Sequence, residues 1–436
     1  MPGPLQDPSA ELMVDAEALS VLQALAAAAP ALGDEWRAVS DSRAWKRVKW
    51  EEDGSGRVSE LFLSEAGLLD LPESVGQLGP TLRKLWLSQN ALRALPASLA
   101  ALQQLKVLIA AGNIFKELPP VVCQLAALEQ LTFSLNPLRE LPPAISALGR
   151  LEWLDVSECQ LASIPPEIGA LTGLQRLDLH SNKLRSLPPS LSALSRLDHL
   201  SLHSNELEVL LPEIGACTAL TWLSLNANRL RVLPPSMGAL TGMVRLSLHI
   251  NQLEHLPPEL GNLTQLEALS LHSNALPSIP SELGKLTQCV RLSLYQNRLE
   301  SLPPEIGRLT ALQELWLYSN RLTSVPPELG RLTALKRLWL DRNRLETVPA
   351  ELASLTNLQE LYLDQNSPSL QLPPDLALLP ALRKMYVAST PAQQEALQQQ
   401  QAAAQAALRG AGGGPAGGAA AAQVAANLIR HSVPFS

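Results

Sequence analysis

Cysteine is scarce in this chain. There are four in 436 residues, at positions 123, 159, 217 and 289, too scattered for a disulfide framework or a zinc site. Aromatic residues are 4 % of the composition, with eight Trp, four Tyr and four Phe. A core of this length is therefore aliphatic, and each ring has to be explained by its position. The net charge of -7 is mild and opposes nucleic acid as the main partner, which would call for a basic face. No run approaches 18 apolar residues, so no membrane-spanning helix is expected. A phosphate-cradling Gly-Lys-Ser/Thr loop and a kinase signature are both missing, which removes the nucleotide-driven classes. The N-terminal stretch lacks a basic n-region and carries Asp7, Glu11, Asp15 and Glu17 among its apolar residues, unlike a secretory signal. These absences lead to an expected reduced, cytoplasmic, soluble monomer with no cofactor and no catalytic residues.

What is present is a repeat. The stretch Leu312-Gln-Glu-Leu-Trp-Leu-Tyr-Ser-Asn-Arg-Leu322 is followed by Val-Pro-Pro-Glu-Leu-Gly, and similar spelling returns every 23 residues. Stepping by 23 from Asn320 reaches Asn90, Asn113, Asn136, Cys159, Asn182, Asn205, Asn228, Asn251, Asn274, Asn297, Asn343 and Asn366. Only Cys159 breaks the column, and the register never slips. The spacing L-x-x-L-x-L-x-x-N-x-L at this period identifies a leucine-rich repeat, in which each copy supplies one strand to a curved parallel sheet. The predicted fold is an α/β repeat solenoid, a leucine-rich repeat horseshoe with about 15 parallel strands on its concave face.

One copy contains the physics. Leu312, Leu315, Leu317 and Leu322 face inward, because a strand alternates sides and the turns bring the outer two round. Asn320 stands where the strand ends, and its amide both donates and accepts, so stacked copies can satisfy turn backbone inside the core. Cys159 still offers a weak donor there. The Pro-Pro pair enforces extended backbone and then the first position of a short helical turn. By the same alignment Cys217 and Cys289 replace core leucines and Cys123 takes a small-residue position, so all four thiols read as small buried hydrophobes. A sequon at Asn262-Leu-Thr264 follows from the repeat spelling.

In chain order, residues 1–14 read as disordered and 15–57 as an N-terminal cap with a helix from about Asp15 to Ala29 and tryptophans at 36, 45 and 50. Residues 58–390 are the repeat array, with one extra residue at Gly79-Pro80 and another in Ser367-Pro-Ser369. Residues 391–409 begin with a capping box at Thr390-Pro-Ala-Gln393 and read as a Gln/Ala-rich helix covering the end of the array. Residues 410–436 read as a Gly/Ala-rich flexible tail. Fifteen strands at roughly 4.8 Å spacing give an inner face on the order of 65–70 Å long, enough for a protein partner.

Function in such a fold falls to the outward positions of the strands, since packing fixes the others. The residue between the two strand leucines runs Phe62, Trp86, Ile109, Thr132, Asp155, Asp178, five serines, Trp316, Trp339, Tyr362 and Tyr386. Two residues on, a second column runs His180, His203, Asn226, His249, His272, Tyr295, Tyr318, Asp341 and Asp364. Every Trp and Tyr of the array is thereby placed on the face away from the leucines. Tyr295, Trp316, Tyr318, Trp339, Tyr362 and Tyr386, interleaved with Arg291, Arg337 and Arg342, form the expected docking surface, because Trp, Tyr and Arg dominate protein–protein hot spots. The alternative reading is a ladder of rings that stiffens the sheet.

His180, His203, His249 and His272 are a secondary candidate surface. Adjacent pairs sit at metal-ligand spacing but two ligands do not close a site, and no column of carboxylates or thiolates completes one. The Ser201–His203 and Ser247–His249 pairs imitate a nucleophile and base but have no evident oxyanion hole. Arg176, His199, Arg245 and the histidines are also candidates to receive an acidic or phosphorylated segment, more strongly below about pH 6.5, against which Asp178 and Asp198 count. Lys46-Arg-Val-Lys-Trp50 fits the basic-Val-x-aromatic pattern that docks on a phosphatase catalytic subunit, although Trp50 also reads as a cap residue.

The order of tryptophans and the Gly56-Arg-Val58 entry resemble the N-terminal cap of plant and algal leucine-rich repeat proteins. Over about 58–390 the spelling Leu-Pro-Pro-Glu-Ile-Gly-x-Leu-Thr-x-Leu resembles the Ras-group-related type of intracellular leucine-rich repeat proteins. That resemblance implies a signalling scaffold, with a small GTPase or a phosphatase complex as the partner. The function expected is therefore non-catalytic protein–protein interaction in signal transduction. A structural or assembly role in the cytoskeleton or a flagellar axoneme, where such proteins also occur in algae, is the alternative.

Overall fold

A computed structural model of the chain describes residues 14–29, 32, 47–53 and 55–387. The expected disordered N-terminus (save Val14), Trp36, Trp45 and Lys46 of the cap, and the C-terminal helix and tail of 391–436 lie outside the described residues. The chain divides into two compact units, Met1–Asn205 and Glu206–Ser436.

The first unit opens with α1 (Ala16–Ala28), whose N-cap Asp15 accepts a hydrogen bond from the Glu17 amide at 3.0 Å. That satisfies a donor the helix start would leave orphaned. Its buried side, Ala18, Val21, Leu22 and Leu25, packs on the first 3₁₀ turn, Glu73–Leu78. Strand β1 (Val48–Trp50) then pairs antiparallel with β2 (Val58–Phe62), with a register shift between Lys49 and Trp50. Six three-residue strands follow, from β3 (Lys84–Trp86) to β8 (His199–Ser201), each parallel to the one before. The second unit holds eight more, from β9 (Trp222–Ser224) to β16 (Lys384–Tyr386), paired in the same way. The repeat strands β2 to β16 are thus the fifteen expected, and β1 is an addition that the period did not announce.

Register follows the period. Arg245 faces Ala268 and Arg291 faces Glu314, each 23 residues on. The step lengthens to 24 where Glu60 faces Lys84 and where Glu360 faces Lys384, the two places with an inserted residue. In-register parallel pairing stacks identical side chains, so the leucines form continuous rows. Leu312, Leu315, Leu317 and Leu322 are all fully buried, each stabilising by roughly 1.5–3 kcal/mol relative to exposure.

After each of the strands β2 to β15 the chain bends through a left-handed residue, Ser319 at φ 56° for example, into the asparagine or, after β2 and β6, into Ala66 and Cys159. Asn320 Nδ2 donates to Leu294 O of the preceding repeat at 3.0 Å and to Leu317 O at 2.9 Å, and its Oδ1 accepts from Leu299 N at 3.1 Å. One side chain therefore satisfies three backbone groups in two repeats. Cys159 imitates only the donor half, with Sγ 3.5 Å from Phe133 O and 3.4 Å from Ser157 O. The prolines act as expected: Pro303 caps and Pro304 begins the turn Pro304–Arg308, which is 3₁₀ in form. All four cysteines are buried. Burial pushes the Cys159 and Cys217 thiols up to about 11 and Cys289 to about 12, so they stay protonated and unreactive.

Candidate functional site

The side of the strands away from the leucines carries the rings, because successive strand residues alternate sides. In the second unit β12 (Arg291–Ser293), β13 (Glu314–Trp316), β14 (Arg337–Trp339), β15 (Glu360–Tyr362) and β16 bring the predicted residues together. Trp316 stacks on Trp339 with ring centroids 5.3 Å apart, Trp339 on Tyr362 at 5.6 Å, and Tyr362 on Tyr386 at 4.7 Å. Each of the four is half-buried, with its faces shared between neighbours. The arrangement has the geometry of a stiffening ladder and also presents ring edges along one side of the sheet. Stacked pairs contribute roughly 0.5–1.5 kcal/mol beyond their buried area.

A second stack runs beside it. His249 lies on His272 at 4.3 Å, His272 on Tyr295 at 4.1 Å and Tyr295 on Tyr318 at 4.3 Å. In the first unit His180 and His203 stack alike at 4.3 Å, and Phe62 stacks on Trp86 at 4.2 Å. Histidine and tyrosine are thus members of one column of flat rings, which residue-by-residue reading had divided into two surfaces. Burial drives the His272 imidazole down to about 4, with a further push from His249, and lowers His249 as well. Both shifts favour the neutral ring, which counts against a cationic receiver at these two positions. Among the described residues no group of three His, Cys, Asp or Glu is placed to hold a metal ion.

Three of these histidines meet the hydroxyl of the next residue. His180, His203 and His272 Nδ1 lie 3.2–3.3 Å from Oγ of the following residues Ser181, Ser204 and Ser273. After His249 that place is taken by Ile250, exposed and at φ 54°. His249 Nδ1 is buried with no hydrogen-bond partner. A β-branched residue is strained in the left-handed region. Ile250→Ser should therefore raise stability by about 1 kcal/mol, by giving Nδ1 a partner and easing the backbone. Urea unfolding of the two proteins checks it, and an unchanged or lower midpoint contradicts it.

Charges on the face are largely matched internally. Arg337 Nη1 lies 3.2 Å from Glu314 Oε1, and Lys384 Nζ 3.2 Å from Glu360 Oε1. Arg291 is exposed on β12, and Arg342 is exposed at a left-handed position, φ 52°. In the first unit Arg176 Nε donates to Asp178 Oδ2 at 2.7 Å and lies 4.5 Å over Trp153, whose Nε1 donates to the same oxygen at 3.0 Å. Arg176 is therefore engaged with Asp178 and not offered to an anion. Burial, then the Arg176 charge, lowers His199. Val48 is in the core and Lys49 is paired with Glu60 at 2.9 Å, so Val48–Trp50 of the basic-Val-x-aromatic stretch is built into the cap sheet as β1.

Two residues that sequence reading left without a role stand out. Asp341 and Asp364 continue the Tyr295–Tyr318 column on neighbouring strands. Burial, then the Asp364 charge, pushes the Asp341 carboxyl up to about 6, and burial also raises Asp364. Burial first, then its neighbours Glu360 and Tyr386, pushes the Tyr362 phenol up to about 12. The signal was a column that switches from ring to carboxylate, readable only once the column is known to stack.

Residues 281–408 match the family described as leucine-rich repeat region, and residues 149–207 and 218–276 match the leucine rich repeat. None of the curated proteins compared matches the chain. A leucine-rich repeat protein of Leptospira interrogans is 33 % identical over 78 % of this chain and 93 % of its own, with a TM-score of 0.64. A plant peptide hormone receptor, solved in complex with RGF2, is 28 % identical over 76 % of this chain and 66 % of its own, with a TM-score of 0.61. An internalin of Listeria monocytogenes, 21 % identical over 84 % of this chain and 97 % of its own with a TM-score of 0.60, shares the fold. Among the described residues no helix is long and apolar enough to cross a membrane.

Proposed function

This chain belongs to the leucine-rich repeat family, whose domains generally mediate protein–protein interaction, and on that footing we propose that it is a non-catalytic scaffold docking a protein partner on the open sheet face of β12–β16. The observation that carries the reading is the Trp316–Trp339–Tyr362–Tyr386 stack beside Tyr295 and Tyr318. Large half-buried rings with their edges toward solvent are the side chains that anchor hot spots. Arg291 and Arg342 stand at the margin of the stack, where exposed guanidinium groups steer encounter and fix register. The His180–His203 and His249–His272 stacks are secondary contact surfaces. Cytoplasmic signal transduction of the Ras-group-related kind, with a small GTPase or a phosphatase complex as partner, is the setting that the repeat spelling favours. The plant receptor that shares the fold holds a peptide hormone, and an extended segment of the partner is the form of ligand proposed here.

The test is affinity capture from native lysate with mass spectrometry, comparing the wild-type chain with Trp316→Ala/Trp339→Ala/Tyr362→Ala. Circular dichroism first confirms that both fold. Hot-spot truncations each cost about 2 kcal/mol or more, so a specific partner should fall at least about tenfold in the variant. An unchanged partner list overturns the proposal and leaves the rings as a stiffening ladder alone.

A further inference from the structure

We propose that Asp341 and Asp364, set among Tyr318, Trp339 and Tyr362, form the seat for a basic side chain on the partner's docking segment, with an arginine guanidinium as the best fit. The inference rests on the docking reading above and names the chemistry that the docked segment must carry.

In a parallel in-register sheet, residues of one column on neighbouring strands are about 4.8 Å apart. Leu338 and Leu361 are register partners, so Asp341 and Asp364, three residues beyond each, face one another across β14 and β15. Two carboxylates at that separation repel each other and share one opening. Next, the other charges on these strands are already used: Arg337 is held by Glu314 and Lys384 by Glu360. Neither Asp341 nor Asp364 has an ion-pair partner among the described residues, and Asp341 Oδ1 is shut off from solvent with no hydrogen-bond partner. Arg342 is the near cation, and its charge lowers both groups less than burial raises them. Last, the walls are aromatic. Trp339 and Tyr362 occupy the same two strands two residues earlier, and Tyr318 closes the stacked column.

A planar guanidinium meets these demands together. It donates in its plane to both carboxylates and lays its face on a ring. A bound cation also offsets the mutual repulsion of the two carboxylates. A metal ion does not meet them, since two carboxylates leave its coordination open and no third ligand stands by among the described residues. Charge complementarity therefore selects a basic segment of a protein partner.

The experiment selects a displayed library of random twelve-residue peptides on the full chain, on Asp341→Asn/Asp364→Asn, and on the aromatic triple variant. The wild-type chain should enrich peptides with Arg or Lys at one fixed place. A synthetic winner should bind the Asn variant about thirtyfold more weakly. Replacing its arginine by citrulline should cost as much with the wild-type chain and almost nothing further with the Asn variant, which is the mark of a direct pair. The Asn variant should unfold at the same or a higher urea concentration, since the repulsion is gone, so lost binding is not lost folding. Winners without a basic preference that still need the aromatic rings overturn this inference and leave docking intact. Winners indifferent to the aromatic variant overturn the docking reading itself. No enrichment, or dimerisation of the wild-type chain abolished by the Asn pair, also overturns the inference, the latter in favour of a second copy as the occupant.

Discussion

Asn320→Ala should cost about 3–5 kcal/mol of unfolding free energy. The side chain satisfies Leu294 O, Leu317 O and Leu299 N, and only 8 % of the residue is exposed. Water does not replace it there, and each buried backbone group left without a partner costs roughly 1–3 kcal/mol. The substitution also uncouples neighbouring repeats, because one bond lies in its own turn and two reach the preceding repeat. Hydrogen exchange should therefore speed up most at Leu299 N–H, ahead of amides in distant repeats. Urea unfolding read by tryptophan fluorescence gives the total, and a loss below about 1 kcal/mol contradicts the assignment. Cys159 shows the milder natural case, since sulfur supplies the donor bonds at 3.4 and 3.5 Å but has no amide oxygen to offer the backbone.

Gly284→Ala should cost about 2 kcal/mol for a different reason. Its 3₁₀ turn, Ser281–Lys285, packs on the turn of the next repeat. A Cβ built on Gly284 falls 2.5 Å from the Glu305 carbonyl oxygen and 2.7 Å from the Glu305 Cβ. The first obstacle is backbone, so the turns must separate, and forced expansion of a packed interior typically costs 1–3 kcal/mol. Turns that carry Ala100, Cys123 or Ala353 at the equivalent place pack less closely on their followers, which is the direction the variant is driven. Gly149→Ala is the control: nothing lies within 4 Å of a Cβ there, and stability should stay within about 0.5 kcal/mol. Equal effects at the two sites would show that close approach is not what glycine provides at 284.

The architecture was legible because it depends on a period. A leucine row needs identical spacing on every copy, and the asparagine column cannot slip without leaving backbone unsatisfied, so Asn320 and its twelve counterpart positions disclosed strands, register and core together. The two 24-residue steps were visible as inserted residues for the same reason. Strand β1 was not visible, since it is antiparallel and belongs to no repeat. The contents of the open face were legible as residue types but not as contacts. Spacing puts His249, His272, Tyr295 and Tyr318 in one column, yet only rotamers decide that they lie flat on one another. Burial in that column lowers the two histidines and raises Asp341, which also has the like charge of Asp364 nearby. Arg176 illustrates the converse: its position marked it as available for an anion, while a carboxylate two residues away and the face of Trp153 already hold it.

The open face of β12–β16 is the proposed docking place for a protein partner. Site-specific photo-cross-linking tests this most directly, with the reactive residue placed at Arg291 on that face or at Lys285 on the 3₁₀ side, both exposed. In native lysate the Arg291 position should trap one partner species, the Lys285 position should not, and Trp316→Ala/Trp339→Ala/Tyr362→Ala should abolish the adduct. A species trapped from Lys285 alone, or an Arg291 adduct that survives loss of the three rings, would contradict it.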